Sequence, residues 1–277
     1  MTGVTLTAAS DTRAPVLRHT LATQRRSLAV WAVAVAALIG LYAALWPSVR
    51  GNTGWRQLFD TLPKGYRALF TVGGNIDLSS PAGYLGVELL AFMGPTLIAV
   101  YAIGTGSSGI AGEESQGTLE LVLSTPITRG RVLIERFGAL AAGLAVLGAA
   151  QTAALLGFSA ALGMGLDPVR IVAAGAALAL FGLFTGSVAL AVGAATGRPG
   201  PARATAALLA VAAYLINALA QLTSVLGPAR PLSPFYLLLG NNPLANGLRV
   251  GPALAVAGVS VLLVGLGAVL LERRDLT

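Results

Sequence analysis

The sequence predicts an all-α polytopic membrane protein with six transmembrane helices, on three observations. Of 277 residues only 10 % are charged and 55 % are hydrophobic, against about 25 % charged in an ordinary globular domain. The charges avoid six stretches altogether: Ser27–Val49, Leu89–Gly112, Phe137–Leu166, Ile171–Gly197, Ala204–Ala229 and Val250–Leu271. Each stretch exceeds the roughly 20 apolar residues that a helix needs to cross a bilayer core. Soluble enzymes, disordered tails and nucleic-acid-binding domains fit this pattern poorly.

The elements follow in chain order. Before the first span Val16, Leu17, Leu21 and Leu28 alternate with Arg18, Gln24, Arg25 and Arg26, the pattern of an amphipathic N-terminal elbow helix on the membrane surface. It feeds a first span over residues 28–46, with Trp31 and Trp46 as interfacial anchors near its ends. The pair Arg25-Arg26 mimics a twin-arginine signal, but the apolar run is too long for a signal core and no small-residue cleavage site follows. An outer loop covers 47–82. In it Trp55, Leu58, Phe59 and Leu62 recur at helical spacing, and the pattern resumes after Pro63 with Tyr66, Leu69 and Phe70. Such a segment lies on the outer leaflet, caps an exit path, or packs on the span ends.

Span two covers 83–110, span three 137–163, span four 170–196, span five 204–226 and span six 252–271, all within one transmembrane domain spanning 1–277. Residues 227–251 form a second outer loop. Its charge-free part, Pro231–Leu248, contains Pro231, Pro234, Pro243, Asn241, Asn242 and Asn246. An irregular backbone of that kind is costly inside lipid and belongs at the interface.

Six spans put both termini on one side. Placing that side in the cytoplasm gives it 11 of the 18 Lys and Arg residues, the bias of the positive-inside rule. The net charge of +7 is thereby assigned to helix flanks facing anionic lipid, and nucleic acid is not an expected partner. The expected location is the cell membrane. With no cysteine and His19 the only histidine, disulfides, thiolate catalysis and two-His zinc sites drop out. No catalytic residue and no metal ligand is assigned.

The cytoplasmic segment between spans two and three, residues 111–136, carries the most chemistry. From Glu113 to Arg136 it holds seven charges, acidic first and basic later. Pro126 breaks the helix and Thr128 caps a new one leading into span three. A helix–break–helix under the membrane suits docking of a soluble partner. A solvated hairpin joining two spans fits the physics equally well.

The run Glu113-Glu114-Ser115-Gln116-Gly117-Thr118-Leu119-Glu120-Leu121-Val122-Leu123-Ser124-Thr125-Pro126-Ile127-Thr128-Arg129 resembles the signature that follows the second of six spans in membrane subunits of ABC-type exporters, the ABC-2-like permease family. Val122 is a mild departure from it. The resemblance extends to Ser80-Pro81-Ala82-Gly83-Tyr84-Leu85, to Ser233-Pro234-Phe235-Tyr236 and to Asn242-Pro243-Leu244. It implies a permease subunit of an ATP-binding cassette exporter. The ATPase-coupling residues would be Glu113, Glu114, Gly117, Thr118, Leu119, Glu120, Pro126 and Arg129. Two copies of a separate ATPase subunit would bind the ATP and Mg, and a second permease subunit would complete a homo- or heterodimer. This chain has no phosphate-binding Gly-x-x-x-x-Gly-Lys run, and its one lysine, Lys64, lies in an outer loop. The expectation is therefore a chain that is not an enzyme by itself and holds no cofactor of its own.

Span four carries Gly175, Gly182, Gly186 and Gly193 on one stripe, a helix-packing face used either between subunits or between spans of one chain. Intramembrane polar residues are few: Glu88, Gln151, Asn217 and Gln221. They read as interhelical hydrogen-bonding groups rather than an ion relay, which favours an apolar or amphiphilic cargo. The competing class is a secondary transporter or a membrane-embedded enzyme acting without an ATPase. Either needs mid-membrane charges, broken paired helices or a nucleophile with its base within the spans, and none is evident. The cargo is not written in the sequence.

Overall fold

The computed structural model describes residues 15–50, 52, 54, 57, 61–70, 77–115, 117 and 128–274. Among them six helices are long and apolar enough to cross a membrane, and no strand occurs. We number the helices α1 (Pro15–Val49), α2 (Lys64–Phe70), α3 (Pro81–Ser115), α4 (Arg129–Ala161), α5 (Pro168–Thr196), α6 (Pro199–Leu219), α7 (Pro234–Leu238), α8 (Pro243–Asn246) and α9 (Val250–Glu272). The spans are α1, α3, α4, α5, α6 and α9.

Local chemistry sets the ends of these helices. Ser80 caps α3, accepting a hydrogen bond from the Gly83 amide at 3.1 Å with Pro81 at the first helical position. Thr128 caps α4 through the Arg131 amide, and Asp167 caps α5 through the Val169 amide at 2.8 Å, again with proline next. Helix α5 stops at Gly197, whose φ of +67° is left-handed and open to glycine at little cost.

The entry segment and the first span form one helix. Helix α1 runs unbroken from Pro15 to Val49, so the elbow is the first turns of a long helix rather than a separate element. Trp46 is no interfacial anchor: it is buried and stacks on Tyr84 with ring centroids 5.7 Å apart. Span five is shorter than its charge-free interval. Helix α6 ends at Leu219 and the chain enters a 3₁₀ helix at Ser224–Leu232, where Gly227, Pro228 and Pro231 make an α-helical ladder unprofitable. Most of the amphipathic stretch around Trp55, Leu58 and Phe59 lies outside the described residues.

Helix α5 is the hub, packing against α3, α4, α6 and α9, while α1 lies on α4. Glycines allow this closeness. Gly182 faces Ile98 and Leu144, Gly186 faces Leu140 and the Ala102 carbonyl, Gly175 faces Thr152, and Gly193 faces Ala111 and Ala202. The glycine stripe therefore packs the spans of one chain together. Among the described residues three hydrophobic clusters result, of which two matter here. The larger one runs through the bundle and includes Ile39, Leu85, Leu144, Leu178 and Phe235. The smaller one, with Val16, Ile110, Leu133, Leu190, Val264 and Leu271, lies at the face where α1 begins and α9 ends, called the terminal face below.

Candidate functional site

At the terminal face the two ends of the segment that joins α3 to α4 are pinned by charged side chains. Helix α3 reaches this face through a π-helical turn, Ser108–Gly112, and closes with Glu113-Glu114-Ser115. Gly117 then takes a left-handed φ of +69°, and its amide donates to the Glu114 carbonyl at 3.0 Å. A side chain at this position would be strained, which gives Gly117 its place in the motif.

Glu113 accepts from the Arg136 guanidinium in an ion pair, and the same guanidinium donates to the Thr20 hydroxyl of α1. Glu114 pairs with Arg274, which lies just past α9. Arg274 also donates to the Ala194 carbonyl of α5 at 3.0 Å, and its own carbonyl accepts from Arg129 at 2.8 Å. Gly197 sits against this pair: a Cβ there would meet both the Arg274 guanidinium and Glu114 Oε1. The first two acidic side chains of the motif thus face inward, Glu113 with 22 % and Glu114 with 16 % of the side chain exposed.

Glu135 supports the same corner. Its Oε2 accepts from the backbone amides of Val16 at 2.9 Å and Leu17 at 3.1 Å, capping the start of α1, and its Oε1 accepts from Arg131 Nε at 3.1 Å. A carboxylate is well placed there, at the positive end of a 35-residue helix. Arg203 Nε of α6 donates to Ser107 Oγ of α3 at 3.1 Å. All six spans are therefore joined at this face by polar contacts. Beside Arg136 a cavity of about 40 Å³ is lined by Thr20, Gln24, Thr105 and Ser108, enough room for an ordered water.

The other residues singled out from the sequence fall as follows. Arg129 holds the Arg274 carbonyl as described. Thr118, Leu119, Glu120 and Pro126 lie outside the described residues. Glu88 is half-buried in a π-helical stretch, Gly86–Met93. Gln151 is buried in α4. Asn217 is buried near the end of α6, where its Oδ1 accepts from Arg230 at 3.3 Å. Gln221 is not in a span: it follows the end of α6 and donates to the Asn217 carbonyl at 3.3 Å. Sequence reasoning passed over Arg136, Arg274 and Glu135 as site residues. Their partners lie 23, 160 and 119 positions away, so no local spacing marks them.

A second feature lies in the bundle itself. An apolar cleft of about 180 Å³ opens between α3 and α6, lined by Phe92, Val100, Phe181, Val211, Tyr214 and Phe235 among others. Its walls offer surface to an apolar body and almost no charge.

A bundle of six helices long and apolar enough to cross a membrane, with an apolar cleft between two of them and a polar clamp at one end, has the build of a multi-pass membrane protein. The chain belongs to the ABC-2 family of transporter proteins, whose profile matches residues 14–276. It is thus the permease type of subunit of an ABC transporter, and the family implies a complex with an ATPase partner. No curated protein matches the chain.

Proposed function

We propose that this permease subunit exports an apolar or amphiphilic cargo and receives work from a separate ATPase through residues 113–136. The observation that carries this reading is the clamp at the terminal face: both ends of the segment are tied by charge to spans two, three and six. A push on a segment held in this way moves helices, whereas a push on a tethered loop would be lost in the loop. The ATPase, in two copies, would hold the ATP and Mg. Its closure would favour one state of the permease pair only through unequal affinity for the two states. A second permease subunit, identical or different, completes the path, and the cleft between α3 and α6 supplies apolar lining for it. Both termini lie in the cytoplasm in this reading, at the cell membrane.

The ion pairs of Glu113 and Glu114 support Glu120 as the acidic residue that meets the partner. It is the one charge between Glu114 and Arg129 in the sequence. Co-expression of the chain with a candidate ATPase subunit tests this. The expected result is co-purification of the two, lost in Glu120→Lys with membrane insertion intact. Transport by the purified chain alone, driven by an ion gradient, overturns the reading.

A further inference from the structure

On the face opposite the termini, two arginines share one tyrosine. The Arg230 guanidinium carbon lies 4.6 Å and that of Arg249 5.0 Å from the centroid of the Tyr236 ring. Arg249 also donates to the Tyr236 carbonyl at 3.0 Å, and Arg230 Nε to Asn217 Oδ1 at 3.3 Å. Three different elements supply the group: the 3₁₀ helix Ser224–Leu232, α7, and the residue before α9. Among the described residues no carboxylate pairs with either arginine, whereas Arg131, Arg136, Arg170 and Arg274 each pair with an acid. Arg249 Nε is moreover buried without a partner. Two unneutralised charges are thus held against one ring, with most guanidinium donors unused.

The surroundings fix the depth. Val225 and Leu232, in the same 3₁₀ helix as Arg230, are both 81 % exposed, and Val250 and Leu254, next along from Arg249, are both 67 % exposed. Bare apolar side chains beside cations are the composition of a membrane interface, the level where hydrocarbon gives way to headgroups. The anion found at that depth is the lipid phosphate, and paired planar guanidinium forks are suited to its oxygens.

We propose that Arg230, Tyr236 and Arg249 form a binding site for the phosphate of a lipid headgroup on the face opposite the termini. The site is independent of the coupling reading, since it involves none of the residues at the terminal face. Stacking on Tyr236 holds the two guanidiniums in place, so that a phosphodiester meets donors already oriented.

Native mass spectrometry of the purified full chain tests the proposal, with phosphatidylglycerol as probe and diacylglycerol of the same chains as the phosphate-free control. The expected result is one tightly retained phosphatidylglycerol, no retained diacylglycerol, and at least a tenfold loss of retention in Arg230→Gln/Arg249→Gln. Circular dichroism checks that the variant keeps its helix content. If it does not, the milder Tyr236→Leu, which keeps both charges but removes their platform, is expected to weaken retention several-fold. Equal retention by wild type and a folded variant overturns the proposal. So does loss of the lipid to millimolar inorganic phosphate with no preference for the phospholipid, which would mark a site for free phosphate.

Discussion

The pair formed by Glu114 and Arg274 gives the sharpest test of the clamp, because its strength can be worked out and its failure read directly. The two side chains are 16 % and 21 % exposed. Exposed pairs contribute about 0–1 kcal/mol, whereas removing one partner of a buried pair costs about 3–5 kcal/mol. A pair about four-fifths buried falls between, and Arg274 additionally holds the Ala194 carbonyl. Arg274→Gln should therefore cost about 2–3 kcal/mol. Glu114→Gln keeps an acceptor for Arg274 and should cost about 1–2 kcal/mol. Once one partner is gone the other has little left to lose, so the double variant should fall short of the sum by about 1–2 kcal/mol. Charge reversal is a poorer test. A glutamate at 274 would face the C-terminal carbonyls of α5, where the helix dipole disfavours an anion. The assay is equilibrium unfolding of the purified chain in mixed micelles, followed by circular dichroism. Effects that add to within about 0.5 kcal/mol would refute the pairing.

Four further outcomes follow from side-chain and backbone contacts of single residues. Gly106→Ala puts a Cβ against the Gly186 carbonyl oxygen, a backbone atom that cannot swing aside, and should destabilise by about 1–3 kcal/mol. Gly258→Ala, where the added carbon meets open space, should be neutral or slightly stabilising in the same unfolding assay. Glu135→Ala uncaps α1 and should cost about 1–2 kcal/mol, seen as faster amide exchange at Val16 and Leu17 with exchange in the middle of α4 unchanged. Asn242 holds φ +47° and donates to the Ala82 carbonyl at 3.1 Å. Asn242→Ala loses both the bond and the residue type that tolerates this backbone, and should lower the melting temperature more than Asn242→Gly, which loses the bond alone.

The membrane architecture was legible because a bilayer imposes one strong rule on composition, and that rule acts locally. The gaps between charges locate the six spans to within a turn or two, with two instructive exceptions. Nothing in the pattern around Arg25-Arg26 stops a helix, so the amphipathic entry and the first span merge. The interval Ala204–Ala229 lacks charge throughout, yet the helix ends at Leu219, because apolar composition does not say whether a stretch is helical or lies at the interface. The clamp was not legible. Glu113-Glu114 looks the same in sequence whether it faces an ATPase or an arginine 160 residues away, and the choice is made by how α9 packs beside α5. The glycine stripe on α5 was visible, but the other half of its closest contact, Gly106 on α3, sits in a helix with no comparable stripe.

The clamp also bears on where movement is absorbed. The terminal face has its own small core and its own polar ties to every span, so it should shift as one body, and compliance belongs at its edge. The π-helical turn Ser108–Gly112 is the natural place, being a single extra residue accommodated in α3 at the rim of that core, to which it contributes Ile110. That geometry makes an unusual prediction. Deleting one residue from an ordinary helical turn rotates everything beyond it by about 100°, but deleting the extra residue of a π turn restores the regular helix and leaves both flanks facing as before. Deleting Gly109 should therefore keep Glu113 opposite Arg136, whereas deleting Ala99, in the regular part of α3, should turn it away. Because the chain has no cysteine, a Glu113→Cys/Arg136→Cys pair reports this directly by oxidative cross-linking. Cross-linking retained without Gly109 and lost without Ala99 is the expected result. Its loss without Gly109 would mean that the π turn sets the register of the clamp, and the compliant point would have to be sought elsewhere in α3.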